Sequence, residues 1–314
     1  MAVQPSGKKH VLVVGSANVD VTLRVGVLPQ AGETVLARSV RETAGGKGAN
    51  QAVAAARAGA GVRLAARLGR DGAGDRLVAA IEAAGVDVRA AGRDPDHPTG
   101  RATVLVSDDG DNSIVVVAGA NGALGPGEVA AAVGSTGPGD VVVAQAEIPA
   151  DAVAAAAATA ARAGSRFVLN LAPYRALTPG LLAPDAILVV NAVEAAALAA
   201  DSGADGVEGA AALAGRLGCT VVVTRGAHGA EMAGPGAAAV RVPALAVDAP
   251  VDTTGAGDAF VGVFAAGLAE GRTVPDAARR GCVAAGLSVR GDGAQASFPD
   301  RAGIDAAERA RVDA

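Results

Sequence analysis

The stretch Asp252-Thr253-Thr254-Gly255-Ala256-Gly257-Asp258-Ala259-Phe260 constrains this chain more than any other, because two carboxylates, two hydroxyls and a glycine turn stand directly before an apolar run. Residues 259–268 read as a buried helix. Gly255, Ala256 and Gly257 then form its first turn, with backbone N–H groups that no helical carbonyl can satisfy. Glycine permits close backbone approach, and the positive end of the helix dipole favours negative charge, so the turn suits an anion. Asp258 on the same turn would repel that anion. It fits there as a base toward a hydroxyl, or as an ordinary first-turn acid that caps its helix.

The rest of the chain supplies a setting for such a turn. A strand at 11–14 runs into Gly15-Ser16-Ala17-Asn18-Val19-Asp20, which puts Asn18 and Asp20 just past its carboxyl end, where open α/β sheets bind ligands; as turn formers they would be equally ordinary. Residues 34–41 read as a half-exposed strand. Ala44-Gly45-Gly46-Lys47-Gly48-Ala49-Asn50-Gln51 then leads into a helix at 52–58. This is not a P-loop, because the upstream glycine is missing and Gly48 stands where a magnesium-binding hydroxyl would be. Asn50 lies one helical turn from Gly46 and Lys47 and can aim its amide at the same ligand. No G-x-G-x-x-G occurs, which removes the main support for a nicotinamide or flavin enzyme.

Segments 101–106 and 113–117 flank Asp108-Asp109-Gly110-Asp111-Asn112 as a hairpin. With the 34–41 strand they make a small sheet, a lid whose strands are inserted at about 20–44 and 98–118. Strands at 62–69, 140–145, 166–170, 186–190 and 220–224 alternate with helices opening near 71–75, 150 and 192 and spanning about 206–217, and a hairpin covers 230–242. That alternation predicts an α/β fold with a doubly wound, mostly parallel sheet, one domain over 1–314. Three further groups stand at strand ends: Glu147; Asn191 with Glu194; and Thr224-Arg225-Gly226-Ala227-His228-Gly229. Asn191 and Glu194 have the spacing of a capping box, and equally that of an amide and a carboxylate ordering a hydrated Mg²⁺.

The net charge of −5 and an aromatic content of 2% leave no footprint for nucleic acid or an anionic membrane, so the expected partner is a small molecule. Cys219 and Cys282 are far apart, which excludes a disulfide scaffold and suits a reducing cytoplasm. The start, 1–10, is polar and carries no secretory pattern, and no apolar run reaches membrane-spanning length.

Gly45-Gly46-Lys47-Gly48-Ala49-Asn50 and Asp252-Thr253-Thr254-Gly255-Ala256-Gly257-Asp258 together resemble the paired signatures of the ribokinase (PfkB-type) family of sugar kinases. The likeness extends from Gly15-Ser16-Ala17-Asn18-Val19-Asp20 through Gly32-Glu33-Thr34 and Ala118-Gly119-Ala120-Asn121 to Gly293-Ala294-Gln295-Ala296-Ser297. It implies a Rossmann-like α/β/α architecture with a β-sheet lid that often forms a homodimer interface, and transfer of the ATP γ-phosphoryl group to the 5-hydroxyl of D-ribose. By position it makes Asp258 the catalytic base and Gly255, Ala256 and Gly257 the anion hole. It gives the sugar to Asn18, Asp20, Gly45, Gly46, Lys47, Asn50 and Glu147, and the nucleotide to Asn191, Thr224, Gly226, Gly229, Gly257 and Cys282. Glu194 would steer Mg²⁺ through water. A K⁺ site would draw on Asp252, Thr254, Ser288, Gly291, Gly293 and Ser297. Gly291 and Asp292 depart from the basic residues relatives often carry there, and Cys282 replaces a more polar residue near the adenine. Rival expectations are another acceptor (2-deoxyribose, fructose or a nucleoside), a catalytically silent sugar or nucleotide sensor, and a structural dimer module. The polar set Asn18, Asp20, Asn50 and Glu147 favours a hydroxyl-rich free sugar over a nucleoside.

Overall fold

The computed structural model describes residues 9–201 and 209–312; the polar start at 1–8, and positions 206–208 of the helix expected over 206–217, lie outside the described residues. In chain order the elements are β1 (His10–Val14), β2 (Asn18–Val25), β3 (Ala37–Gly45), α1 (Lys47–Arg57), β4 (Gly61–Gly69), α2 (Gly72–Ala83), β5 (Val86–Asp87), β6 (Ala91–Asp94), β7 (Gly100–Val106), β8 (Asn112–Val117) and α3 (Pro126–Val133). They continue with β9 (Val141–Gln145), α4 (Ala150–Ala163), β10 (Arg166–Asn170), β11 (Ile187–Asn191), α5 (Ala192–Asp201), α6 (Ala210–Leu217), β12 (Thr220–Thr224), β13 (Ala230–Ala233), β14 (Val240–Val242), α7 (Ala256–Ala269), α8 (Val274–Ser288), α9 (Ala294–Ser297) and α10 (Arg301–Val312).

The main sheet runs β14-β13-β12-β11-β10-β9-β1-β4-β5, with β6 also beside β4. It is parallel except for β13 and β14, the expected antiparallel hairpin. Its central strands are nearly continuous Val and Leu because both faces are covered. Strand alternation divides them: Val11 and Val13 enter one apolar layer with α1, α7 and α8, while Leu12 and Val14 enter the other with α3, α4, α5 and α6. α7 is buried from Asp258 to Ala269, and Phe260 and Phe264 stack along it with ring centroids 5.8 Å apart. A helix apolar on every side is what a position between a sheet and a second helix requires.

A second sheet, β3-β2-β7-β8, stands apart from the first, and β7 and β8 form the expected hairpin. Several boundaries differ from the sequence pattern. Asn18 and Asp20 open β2 instead of ending a turn. β3 starts at Ala37, not at 34, because pairing with β2 ends at Val25 opposite Ala37. α1 starts at Lys47, not at 52: Gly46, with φ 86°, supplies the N-cap, and Gly48 disguises the first turn because glycine is a poor helix former. β6 and α3 are short and interrupted by glycine or proline, and neither they nor α8, α9 and α10 were anticipated. From β1 the main sheet continues to β4 on one side and, later, to β9 on the other. A crevice therefore opens beyond the carboxyl ends of β1 and β9, and the second sheet rises from its rim.

Candidate active site

Gly255 turns the chain into α7. Its φ is 77°, and a Cβ there would stand 2.7 Å from the Ala294 Cβ, so both backbone and space demand glycine. The Ala256 N–H bonds the Thr253 carbonyl at 3.2 Å. The first-turn amides of Gly257 and Asp258 have no carbonyl within their own helix to reach. Of the expected anion turn, then, the Gly257 N–H is left without a partner in its own helix while Ala256 is partly spent on its own turn.

Asp258 is 8% exposed. Asn50 donates Nδ2 to its Oδ2 at 3.0 Å and Gln51 donates Nε2 to its Oδ1 at 2.9 Å. Burial pushes the carboxyl up from its ordinary value against the opposing pull of Lys47, Asn50 and Gln51. Lys47 is itself half-buried, and the loss of solvent would lower it, yet Asp258, Glu147, Glu194 and Asp20 together hold it above its ordinary value. Glu147, beyond β9, accepts the Ser16 hydroxyl at 2.5 Å and the Lys47 amide at 3.1 Å, tying the ends of β1 and β9 to the start of α1. Asn18 Oδ1 accepts from Asn121 Nδ2 at 2.7 Å. Asp20 is pushed up to about 7 by burial first, then by Glu147 and Asp258, with Lys47 opposing. Gly45 closes β3 beside the Asp20 carboxylate. Asp20, Lys47, Glu147 and Asp258 thus converge electrostatically on one rim.

Two clefts meet at α7. A small one of about 130 Å³ is lined by Lys47, Asn170, Asn191, Glu194, Gly255 and Asp258, among others. A larger one of about 810 Å³ adjoins it over Asn191, Thr224, Arg225, Gly226, His228, Arg241 and Gly257. Both contain Asn191, Thr224 and Gly257, so these three and Gly226, four of the six expected nucleotide residues, share one continuous floor. Asn191 and Glu194 do form the capping box: the Asn191 N–H donates to Glu194 Oε2 and the Glu194 N–H donates to Asn191 Oδ1, each at 2.8 Å. Burial raises the Glu194 carboxyl, opposed by the Asn191 hydrogen bond and Lys47. A carboxylate at the cleft wall fits Mg²⁺, which keeps several waters and asks few protein ligands. Gly229 stands outside the cleft lining; its φ is 84° and a Cβ there would meet the Val242 carbonyl. Cys282 lies buried in the apolar layer on α8, its thiol pushed up to about 11 by burial with Arg311 opposing, and it lines neither cleft.

The segments expected to hold K⁺ do come together. Asp252 Oδ1 accepts the Thr254 N–H and Oδ2 accepts the Gly293 N–H, each at 2.9 Å, and a Cβ on Gly291 would stand 3.0 Å from the Ser297 Cβ. Burial would raise the Asp252 carboxyl, but these bonds and Arg24 hold it below its ordinary value. The hydroxyls of Ser288 and Ser297 turn to the carbonyls of Ala285 and Ala294 at 2.9 Å. The all-oxygen donor set of this loop pair fits a hard monovalent cation. Three residues that the sequence reading left unassigned touch the centre: Gln51 and Asn170 behind Asp258, and Gln295, whose Nε2 donates to Asn50 Oδ1 at 2.9 Å.

The sequence model of the pfkB family of carbohydrate kinases matches residues 8–301. The chain is 35% identical to the ribokinase of Haemophilus influenzae over 297 residues, covering 94% of this chain and 96% of that protein. It is 36% identical to the ribokinase of Bacillus subtilis over 294 residues, covering 93% and 97%. The solved structure of Arabidopsis thaliana ribokinase complexed with ribose and ATP superposes with a TM-score of 0.85 at 30% identity, over 96% of this chain and 99% of that one.

Proposed function

The chain belongs to the pfkB family of carbohydrate kinases, and from that premise we propose that it transfers the γ-phosphoryl group of ATP to the 5-hydroxyl of D-ribose. The observation that carries this reading is the Asp258 carboxylate, gripped on both oxygens by Asn50 and Gln51 at the first turn of α7, in the wall of the cleft. Phosphoryl transfer asks mainly for positioning and charge neutralisation. In this reading Asn18, Asp20, Gly45, Gly46, Lys47, Asn50 and Glu147 orient the sugar, and Asp258 takes the hydroxyl proton late in the transfer. The N–H groups at Gly255, Ala256 and Gly257 steady the moving phosphoryl oxygens, with the Gly257 amide contributing most. Asn191, Thr224 and Gly226 bind the nucleotide. Gly229 shapes the neighbouring turn, and Cys282 backs the site from the apolar layer.

Glu194 would hold Mg²⁺ through water, and Asp252, Thr254, Ser288, Gly291, Gly293 and Ser297 would hold K⁺ with carbonyl and hydroxyl oxygens. The two ions would supply positive charge beside the triphosphate and the anion turn. The second sheet acts as a lid that keeps water from competing with the sugar, and two copies join through it as a homodimer. Both cysteines are buried and unpaired, which suits the cytoplasm, and among the described residues no helix is long and apolar enough to cross a membrane.

An ATP-consumption assay over ribose, 2-deoxyribose, fructose, adenosine and inosine, run in K⁺ and again in Na⁺, tests the reading; ribose should give the highest kcat/KM and K⁺ the faster rate. Asp258→Asn should keep ribose binding by calorimetry and lose about 10²–10⁴-fold in kcat. A rate within about threefold of wild type would remove the base from the mechanism.

A further inference from the structure

Gln51 and Gln145 are fully buried and line neither cleft, yet Gln51 connects directly to Asp258 and Gln145 connects to it through Gln51. Gln51 Nε2 donates to Asp258 Oδ1 and to Asn170 Oδ1, each at 2.9 Å, and Gln51 Oε1 accepts Gln145 Nε2 at 2.7 Å. Gln145 Oε1, in contrast, is buried with no hydrogen-bond partner among the described residues. It stands 1.9 Å from where a Cβ on Gly15 would be, space that only glycine leaves free. An orphaned buried acceptor costs stability, so its retention needs a reason. Turning the Gln145 amide over would set its oxygen against Gln51 Oε1. Turning both amides would aim Gln51 Oε1 at the Asp258 carboxylate. Only the observed sense both points an NH₂ group at the acid and avoids setting two amide oxygens against each other, and the orphan oxygen is the far end of that chain.

We propose that Gln51 and Gln145 are positioning residues, a buried amide relay that keeps Asp258 ionised and turned into the cleft before the sugar hydroxyl arrives. The proposal rests on Asp258 being the base. Burial drives the acid toward its protonated form, and a proton-bearing Asp258 cannot accept another. The Gln51 donor, with Lys47 and Asn50, works against burial and against the neighbouring Glu147 and Asp20 carboxylates. Its loss therefore makes the acid harder to ionise, and turnover suffers first at low pH.

Gln51→Met should lower kcat about tenfold or more at neutral pH, leave KM for ribose and ATP within about twofold, and move the acid limb of the kcat profile up by about one pH unit. Gln145→Met removes the orienting donor and the orphan oxygen together. It should lower kcat by a smaller factor, melt near wild type because the Gln51 oxygen it orphans replaces the oxygen it removes, and add little to Gln51→Met in the double variant. A merely structural role would lower the melting temperature of both variants and leave the acid limb in place, which overturns the proposal, as does an unchanged kcat in folded Gln51→Met. If Gln51→Met does not fold, an unchanged kcat in Gln145→Met decides against the relay. Turnover by Asp258→Asn would instead overturn the base assignment itself, whatever the glutamine variants do.

Discussion

Burial lifts the Asp20 carboxyl to about 7 from an ordinary 3.8, with Glu147 and Asp258 adding to the rise. Between those values the folded protein keeps a proton that the unfolded chain has lost, so stability falls as pH climbs through this window and stays lower above it. Asp20→Asn removes the titration. It should melt above wild type at about pH 7.5, with the gain shrinking as pH is lowered toward about 5; a gain that does not vary with pH would mean that Asp20 carries no raised pKa. The same variant should raise KM for ribose. Asp20 was legible in the sequence because it stands in a polar cluster after an apolar strand, as do Asn18, Lys47, Asn50, Glu147 and Asp258 near their own turns. Gln51 and Gln145 were not, because polar residues inside an Ala-rich helix or at a strand end look solvent-facing. Their signals were available, since Gln51 occupies the same buried helix face as Gly48, Ala52 and Ala55, and Gln145 closes the otherwise apolar run Val141-Val142-Val143-Ala144. What no pattern reveals is that two such residues, 94 apart in sequence, meet at 2.7 Å.

At the scale of elements, the site depends on how closely α1 lies on α7. A Cβ at Gly262 would stand 2.4 Å from the Gln51 carbonyl, 2.7 Å from the Ala54 Cβ and 3.0 Å from the Ala55 nitrogen. One turn after Asp258, therefore, α7 accepts the backbone of α1 directly, and that contact delivers Asn50 and Gln51 to the carboxylate. Gly262→Ala should destabilise the protein by about 1–3 kcal/mol in urea unfolding. It should also lower kcat more than it raises either KM, since the base loses its partners while the clefts stay intact. Wild-type turnover in a destabilised variant would show that the crossing serves packing alone. The alternation of strands and helices was readable because parallel strands buried on both faces must be long apolar runs. The α1 boundary and the role of Gly262 were not, because glycine within a helical pattern signals only a cost until the neighbouring helix is in place.

For the whole molecule, the second sheet leaves a surface that this chain does not cover. β8 is exposed along its length, with Ile114, Val115, Val116 and Val117 at 56%, 59%, 58% and 53%, and Val40 of β3 at 64%. Successive side chains point to opposite faces, so a strand resting on a protein body would bury every second residue; here both faces are bare. β8 pairs only with β7 among the described strands, which leaves an open apolar edge of the kind proteins normally protect. A second copy meeting the first across a two-fold axis would cover it with the same patch. The root of this sheet carries Asn18 and Asp20, so joining two such sheets would also steady the residues proposed to hold the sugar. Sedimentation equilibrium should therefore find a dimer. Of the two paired substitutions, Val115→Glu with Val117→Glu and Ile114→Glu with Val116→Glu, at least one should yield folded monomers with a higher KM for ribose and an ATP KM near wild type. A monomeric wild type, or a dimer that survives both pairs, would take this sheet out of the interface.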